Sequence, residues 1–223
     1  MLQDTLPCCR SGAYSPPVSD EEFFCANVSD EARFREAIRR FDALNAEDPN
    51  LEISDGREDP RELLNSRRLC AWVLKLHPLA SEELRLDACS QHLCRWQIPR
   101  DSYPLTRAGY HQWKNDLKKF HAGKSAAVLR AAGYPETTVA RVADLNLKRN
   151  FPADPEARVM EDALCLVFIE FQLADLAART DEEKVVNALK KSWAKMTPLA
   201  RDEALKLSLG ARETELIQRA LSD

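Results

Sequence analysis

Two ionisable positions in this chain fall where a packed core is expected. His92 follows Leu84, Ala88 and Cys89 at spacings of eight, four and three, so on a helix it faces the core or its edge. Asp162 stands beside Glu161, just ahead of the apolar run ALCLVFIEF. It shares a helical face with Leu166 and Ile169, while Glu161 aligns with Cys165 and Phe168. Polar groups driven inward need partners, which are each other, a metal or a ligand. A histidine with carboxylates can move protons or ligate a divalent metal. The plainer outcome is structural: a satisfied core histidine at 92, and a carboxylate paired with Arg95, Arg100 or Lys148.

Between these positions runs QHLCRWQIPRDSYPLTRAGYHQW, dense in Arg, Trp, Pro and Tyr. Trp96 can line a ligand pocket and Tyr103 can offer a hydroxyl, or each can anchor a packed loop. Arg95, Arg100, Arg107 and Lys148 are candidates to hold an anion, the arginines through forked contacts. Further on, Trp113, Leu117 and His121 recur every four residues with Tyr110 on the same face, which turns His121 inward. His111 lies about 200° round that helix from Trp113 and is expected to be exposed. His77, before Pro78 at a helix end, suits a structural role at the negative end of the helix dipole.

The elements that must position these residues read as helices. Residues 1–28 form a tail without sustained periodicity, which Phe23 and Phe24 could pin to the domain. The domain spans 29–223 and is predicted to be all-α, with about eight helices and no sheet. DEARFREAIRRFDALNA carries helical spacing. Asp59-Pro60 is expected to open RELLNSRRLCAWVLKLH as cap and first residue. Ser81 caps EELRLDACSQHL. A long helix runs from about Thr106 to Ala132 and ends at Gly133. Pro135 starts a shorter one, and Asp154-Pro155 starts a central helix through Ala178. Thr180 and Glu183 have capping-box spacing, Thr197-Pro198 opens another helix, and the last covers about 212–221.

Net charge is −4, too small to demand nucleic acid or a membrane. Residues 91–130 nevertheless hold eight Lys or Arg against Asp101 and Asp116, a local +6 that leaves −10 elsewhere. That favours a small anionic ligand, although Lys118, Lys119 and Lys124 fit a solvated helix face. Aromatic and basic residues interleave over 95–114, but no nucleic-acid-binding module signature accompanies them. The seven cysteines show no CxxC and no zinc spacing, a pattern of a reducing compartment, and there is no signal peptide or bilayer-length apolar run. A cytoplasmic protein without a membrane partner is the expectation. GxGxxG, the P-loop, HExxH and GxSxG are absent.

FDALNAEDPN (41–50), HPLASEELRL (77–86), QHLCRWQIPR (91–100), YPLTRAGYHQW (103–113), FHA (120–122), AGYPET (132–137), DPEARVMEDALCLVFIE (154–170), EEK (182–184) and KSWAKM (191–196) occur in order. Together they resemble a family known as a domain of unknown function, number 4202, over about residues 34–221. That family in turn looks like a divergent relative of the HD-domain superfamily, all-helical proteins that bind a metal through His and Asp and often hydrolyse phosphate esters. The resemblance implies His92, His121 and Asp162 as ligands of a divalent metal or as acid/base groups, with Glu161 in support. Leu93 departs from it by standing at the Asp of the His-Asp pair, and Arg67 and Arg68 occupy the region of the first ligand. From its own family the chain departs at Asn65, Cys89 and Gly123, where Tyr, Arg and Glu are expected. The implied function is hydrolysis of a small phosphate ester. Metal-free lyase or isomerase chemistry with His92 as base and Asp162 orienting it, and a non-catalytic ligand-binding or scaffold role, stay open beside it.

Overall fold

The computed structural model describes residues 28–54 and 56–222. The expected tail, with Phe23 and Phe24, lies outside the described residues except for Val28, which packs on the core. The fold is all-α apart from one small hairpin. Helix α1 (Glu31–Asn45) starts at Asp30, whose side chain accepts from the Arg33 amide, and buries Phe34, Ala37 and Phe41. Strands β1 (Leu51–Ser54) and β2 (Arg57–Pro60) then pair antiparallel, Leu51 opposite Pro60 and Ser54 opposite Arg57. Gly56, at φ 75°, supplies the left-handed turn residue.

That hairpin corrects the expectation of no sheet. Each strand is four residues long and β2 reads REDP, too short and too polar for a period-two signal. It also removes the expected cap at Asp59, which pairs with Glu52 inside the hairpin. Helix α2 (Arg61–Leu76) takes its cap from a distance instead. Asp48 Oδ2 accepts from the Glu62 backbone N–H at 3.0 Å, and Asp48 Oδ1 accepts from the Asn50 amide at 2.9 Å.

Most other caps are local. Ser81 caps α3 (Glu82–Ser90), and two short 3₁₀ turns follow at Arg95–Gln97 and Arg100–Ser102. Thr106 caps α4 (Arg107–Ala131), and Gly133 at φ 81° lets the chain leave it. Helix α5 (Glu136–Asn146) begins after Pro135. Asp154 caps α6 (Pro155–Val167), accepting from the Glu156 and Ala157 amides. The helix expected to run through Ala178 is interrupted by a π-helical turn, Phe168–Gln172, before α7 (Leu173–Arg179). Asp181, one residue beyond the expected Thr180, caps α8 (Glu182–Lys195). Thr197 caps α9 (Pro198–Leu205), and α10 (Ala211–Leu221) ends the described chain.

Helix α6 runs through the centre and packs on α2, α3, α5, α8 and α9. Met160, Ala163 and Leu166 on it are fully buried. In α4 the face assignment holds for Leu117 and His121, both buried, and for His111, which is exposed. Tyr110, expected inward, is 43 % exposed and lines an open cleft. No helix among the described residues is long and apolar enough to cross a membrane.

Candidate functional site

A cleft of about 730 Å³ opens between α2, α4, the turn after α3 and the α6–α7 segment. Its floor is built around Glu62. That residue stands in the first turn of α2, where the remote Asp48 cap fixes the backbone. Its side chain is buried, with Oε2 3.9 Å from His92 Nδ1 and Oε1 4.0 Å from the Arg95 guanidinium, and it accepts from Asn65 Nδ2 at 3.3 Å. Burial raises the Glu62 carboxyl to about 7; Arg95 and the Asn65 hydrogen bond work against that rise, and the nearby Asp48 carboxylate adds to it.

His92 and His121 stand beside it with ring centroids 6.0 Å apart. His121 Nδ1 lies 2.9 Å from the Leu93 carbonyl. A carbonyl only accepts, so Nδ1 carries the proton and Nε2 presents a lone pair. That Nε2 is buried and has no partner. Burial lowers the His121 pKa to about 4, against the pull of the Leu93 bond. His92 keeps a partly exposed edge inside the cleft. Burial, followed by Arg95, His121 and Lys148, holds it well below the ordinary histidine range. Both imidazoles are therefore neutral at neutral pH.

The lining of the cleft as a whole is basic. Seven Lys or Arg line the cleft against four carboxylates, a surplus of three positive charges. Glu161, buried on α6, is gripped by Lys148 and by Lys195, the latter at 2.8 Å. Burial pushes its carboxyl up, but the two ammonium groups outweigh that and hold it at about 2. Among the described residues, Lys114 and Lys118 have no carboxylate within ion-pair distance. Burial and then the neighbouring lysines lower both, Lys195 and Lys148 acting on Lys114, and Lys148 and Lys114 on Lys118. Cations crowded in this way favour an anionic guest.

Two left-handed residues aim this lining. Cys94, at φ 55°, precedes Arg95, and its amide is held by Asn45 Oδ1 at 3.4 Å. Lys148 itself adopts φ 56°. Such conformations cost energy in a non-glycine residue and persist only where their surroundings enforce them. The motif FDALNAEDPN thus sets the site from below, Asn45 under Arg95 and Asp48 under Glu62.

The sequence candidates separate on this geometry. The cleft brings together His92, His121, Arg95, Lys148 and Glu161. Asp162 is a correction: its Oδ1 accepts from the Thr197 amide at 2.8 Å and its Oδ2 from the Thr197 hydroxyl at 2.6 Å, so it fastens α6 to the start of α9 and does not reach His92. Arg100 bonds to the Tyr103 and Pro104 carbonyls at 3.0 and 2.9 Å and holds its own loop. Tyr103 gives its hydroxyl to Asp116, and Arg107 is exposed outside the cleft. Trp96 packs against the core, and the tryptophan that lines the cleft is Trp113, under the Arg95 guanidinium at 5.0 Å. Lys118 is not on a solvated face, whereas Lys119 and Lys124 stay outside the cleft. Of the three positions where a departure from the family is expected, only Asn65 lines it; Cys89 is buried in the core and Gly123 is exposed.

The set His92, His121 and Asp162 is not brought together, since Asp162 is not among the residues that line the cleft with the two histidines and turns its carboxylate to Thr197. Among the described residues no three His, Cys, Asp or Glu side chains are arranged to hold a metal ion. Sequence reasoning missed Glu62, Gln91, Gln172, Lys114 and Lys195. A usable signal existed for Lys114 and Lys118, which are four apart and flank Leu117 on the inward face of α4.

Fold and site together define an all-α domain with a basic cleft over a buried carboxyl and two neutral histidines. The chain belongs to the family described as Domain of unknown function (DUF4202), whose model matches residues 35–217. No curated protein and no solved structure matches it.

Proposed function

We propose that the protein is an acid/base enzyme acting on a small anionic substrate, most simply a phosphate ester. The observation that carries this reading is Glu62, a buried carboxyl at about 7 beside two neutral imidazoles in a cleft that Lys114 and Lys118 also line without a carboxylate partner. Proton transfer is most efficient when the catalytic group titrates near the working pH. Glu62 meets that condition; His92 and His121 do not, and they act as hydrogen-bond acceptors and orienting groups. In ester hydrolysis the ionised Glu62 takes a proton from water as its oxygen attacks phosphorus, and returns that proton to the leaving alkoxide as the P–O bond breaks. Lys114, Lys118, Lys148 and Arg95 stabilise the phosphoryl charge. A lyase or isomerase would use the same carboxyl to lift and return a proton. In the hydrolase Glu62 takes the acid/base place that the sequence suggested for Asp162, and in the lyase or isomerase it takes the place of His92 as base. The HD-like route through a metal on Asp162 is not kept.

Turnover of a phosphomonoester panel in the presence of EDTA tests the reading. Glu62→Gln is expected to lower turnover by about 10²–10⁴-fold while inorganic phosphate still binds by calorimetry. Full activity in that variant rejects Glu62 as the proton carrier. Phosphate binding without turnover of any ester, or proton exchange into any, leaves a ligand-binding protein in place of the enzyme.

A further inference from the structure

We infer that the guest of this cleft is a phosphate that also carries hydroxyl groups, of the sugar-phosphate or polyol-phosphate class, rather than a bare anion. The inference rests on the proposed anion site and adds the part of the ligand that lies away from the charge.

The argument comes from which way the polar side chains of the floor are turned. Gln91 is buried and lines the cleft. Its Nε2 donates to Asp87 Oδ2 at 3.0 Å, beneath the floor, which turns Oε1 the other way. Asp87 is itself fixed by Asn146 Nδ2 at 2.8 Å, so the orientation of Gln91 is braced from α5. Gln172, from the π turn, repeats the pattern. Its Nε2 donates to Asn65 Oδ1 at 3.3 Å, and Asn65 Nδ2 donates onward to Glu62. His121 does the same with a ring: Nδ1–H is spent on Leu93, and the buried Nε2 lone pair is left unpartnered in a residue that lines the cleft.

Three braced groups thus spend a donor on protein and keep an acceptor for the guest, and each amide also keeps its second N–H, which a phosphate oxygen can accept. A phosphate group is all acceptor and cannot satisfy the acceptors. The guest must bring donors of its own, most of all for His121 Nε2, which is buried without a partner, because a buried acceptor left unmet is costly. Amines and hydroxyls both donate, but the cationic lining disfavours an ammonium group. Hydroxyls remain. The cleft volume of about 730 Å³ accommodates a sugar phosphate rather than only a phosphate ion.

Calorimetric titration of the full chain with glycerol 3-phosphate, ribose 5-phosphate, glucose 6-phosphate and methyl phosphate is the test. At least one hydroxylated phosphate is expected to bind tighter than methyl phosphate by on the order of tenfold, the worth of one or two good hydrogen bonds. Gln91→Leu is expected to bring that ligand down to the methyl phosphate level and leave methyl phosphate unchanged. Gln172→Leu, at a partly exposed position, reads the same contact if the buried variant does not fold. If all the hydroxylated ligands bind like methyl phosphate, or if neither variant lowers the advantage, the hydroxyl inference is overturned while the anion site stands. If methyl phosphate and every sugar phosphate fail to bind, both readings fall together.

Discussion

Glu62 is a carboxyl held where a carboxylate is uncomfortable, and that discomfort has a measurable sign. Its folded value is about 7 against an ordinary 4.5. Between those two pH values the folded chain keeps a proton that the unfolded chain releases, so this group makes stability fall as pH rises through the window. The charged neighbours facing it, Arg95, Arg61 and Asp48, do not reverse the shift, and the nearby His92 is neutral. Glu62→Gln removes the titration and keeps the shape. At pH 8 the variant is therefore expected to be more stable than the parent, by up to on the order of 3 kcal/mol, the cost of holding this carboxyl at about 7 where the unfolded chain has it at 4.5. At pH 4, where both states are protonated, the difference should vanish. Urea unfolding at the two pH values decides it, and a variant less stable at pH 8 would mean that the ionised carboxyl is a net support. A residue that weakens the fold while occupying the floor of a cleft is a mark of function. None of this is legible at the level of sequence, where a glutamate in the first helical turn is an ordinary complement to the dipole. The pair at 161 and 162 was legible as buried. Which of them faces the cleft was not, because the choice is made by Thr197, thirty-five residues away from Asp162.

At the scale of elements, the sequence was informative wherever the cap is local. Ser81, Thr106, Asp154 and Thr197 start their helices as their spacing indicates. It was uninformative where the partner is remote, as with Asp48 for α2, or where a hairpin claims the residue, as with Asp59. The unforeseen π turn matters for the site. A π turn admits an extra residue and swings the following side chains round the axis, a device common at functional sites. Here Phe171 and Gln172 come from it, and both line the cleft. The turn is tolerable because α6 ahead of it is anchored on all sides. Leu166, fully buried, is part of that anchor. Replacing it with Ala should cost about 2–5 kcal/mol, the transfer term plus a cavity that the surrounding helices cannot close. Equilibrium denaturation measures it, and a loss below about 1 kcal/mol would class α6 as peripheral.

Across the whole molecule, a basic stretch in an acidic chain has been folded back on itself. Lys114 and Lys118 come from the long helix, Lys148 from the loop after α5 and Lys195 from the end of α8, so four ammonium groups far apart in sequence face one space. The local charge count marked the stretch that holds the first two without placing them in a site, and only the packing of α5 against α4 and of α8 against α6 brings the others to the same cleft. Glu161 neutralises one part of the cluster and leaves the remainder. Like charges held this close repel one another, and under the proposed function a bound anion would relieve that repulsion. Replacing Lys114 and Lys118 together with Met should accordingly do two opposite things. Without ligand, at low ionic strength, it should stabilise the fold by a few tenths to about 1 kcal/mol, a modest figure because both side chains are still partly screened by solvent. It should also weaken inorganic phosphate binding by on the order of tenfold or more, and that loss should shrink as salt screens the parent site. Thermal melts at low and high salt, run beside phosphate titrations, read both effects on the same samples. If the double variant is less stable without ligand and binds phosphate as the parent does, the lysines serve packing alone and the cleft has no anion to hold.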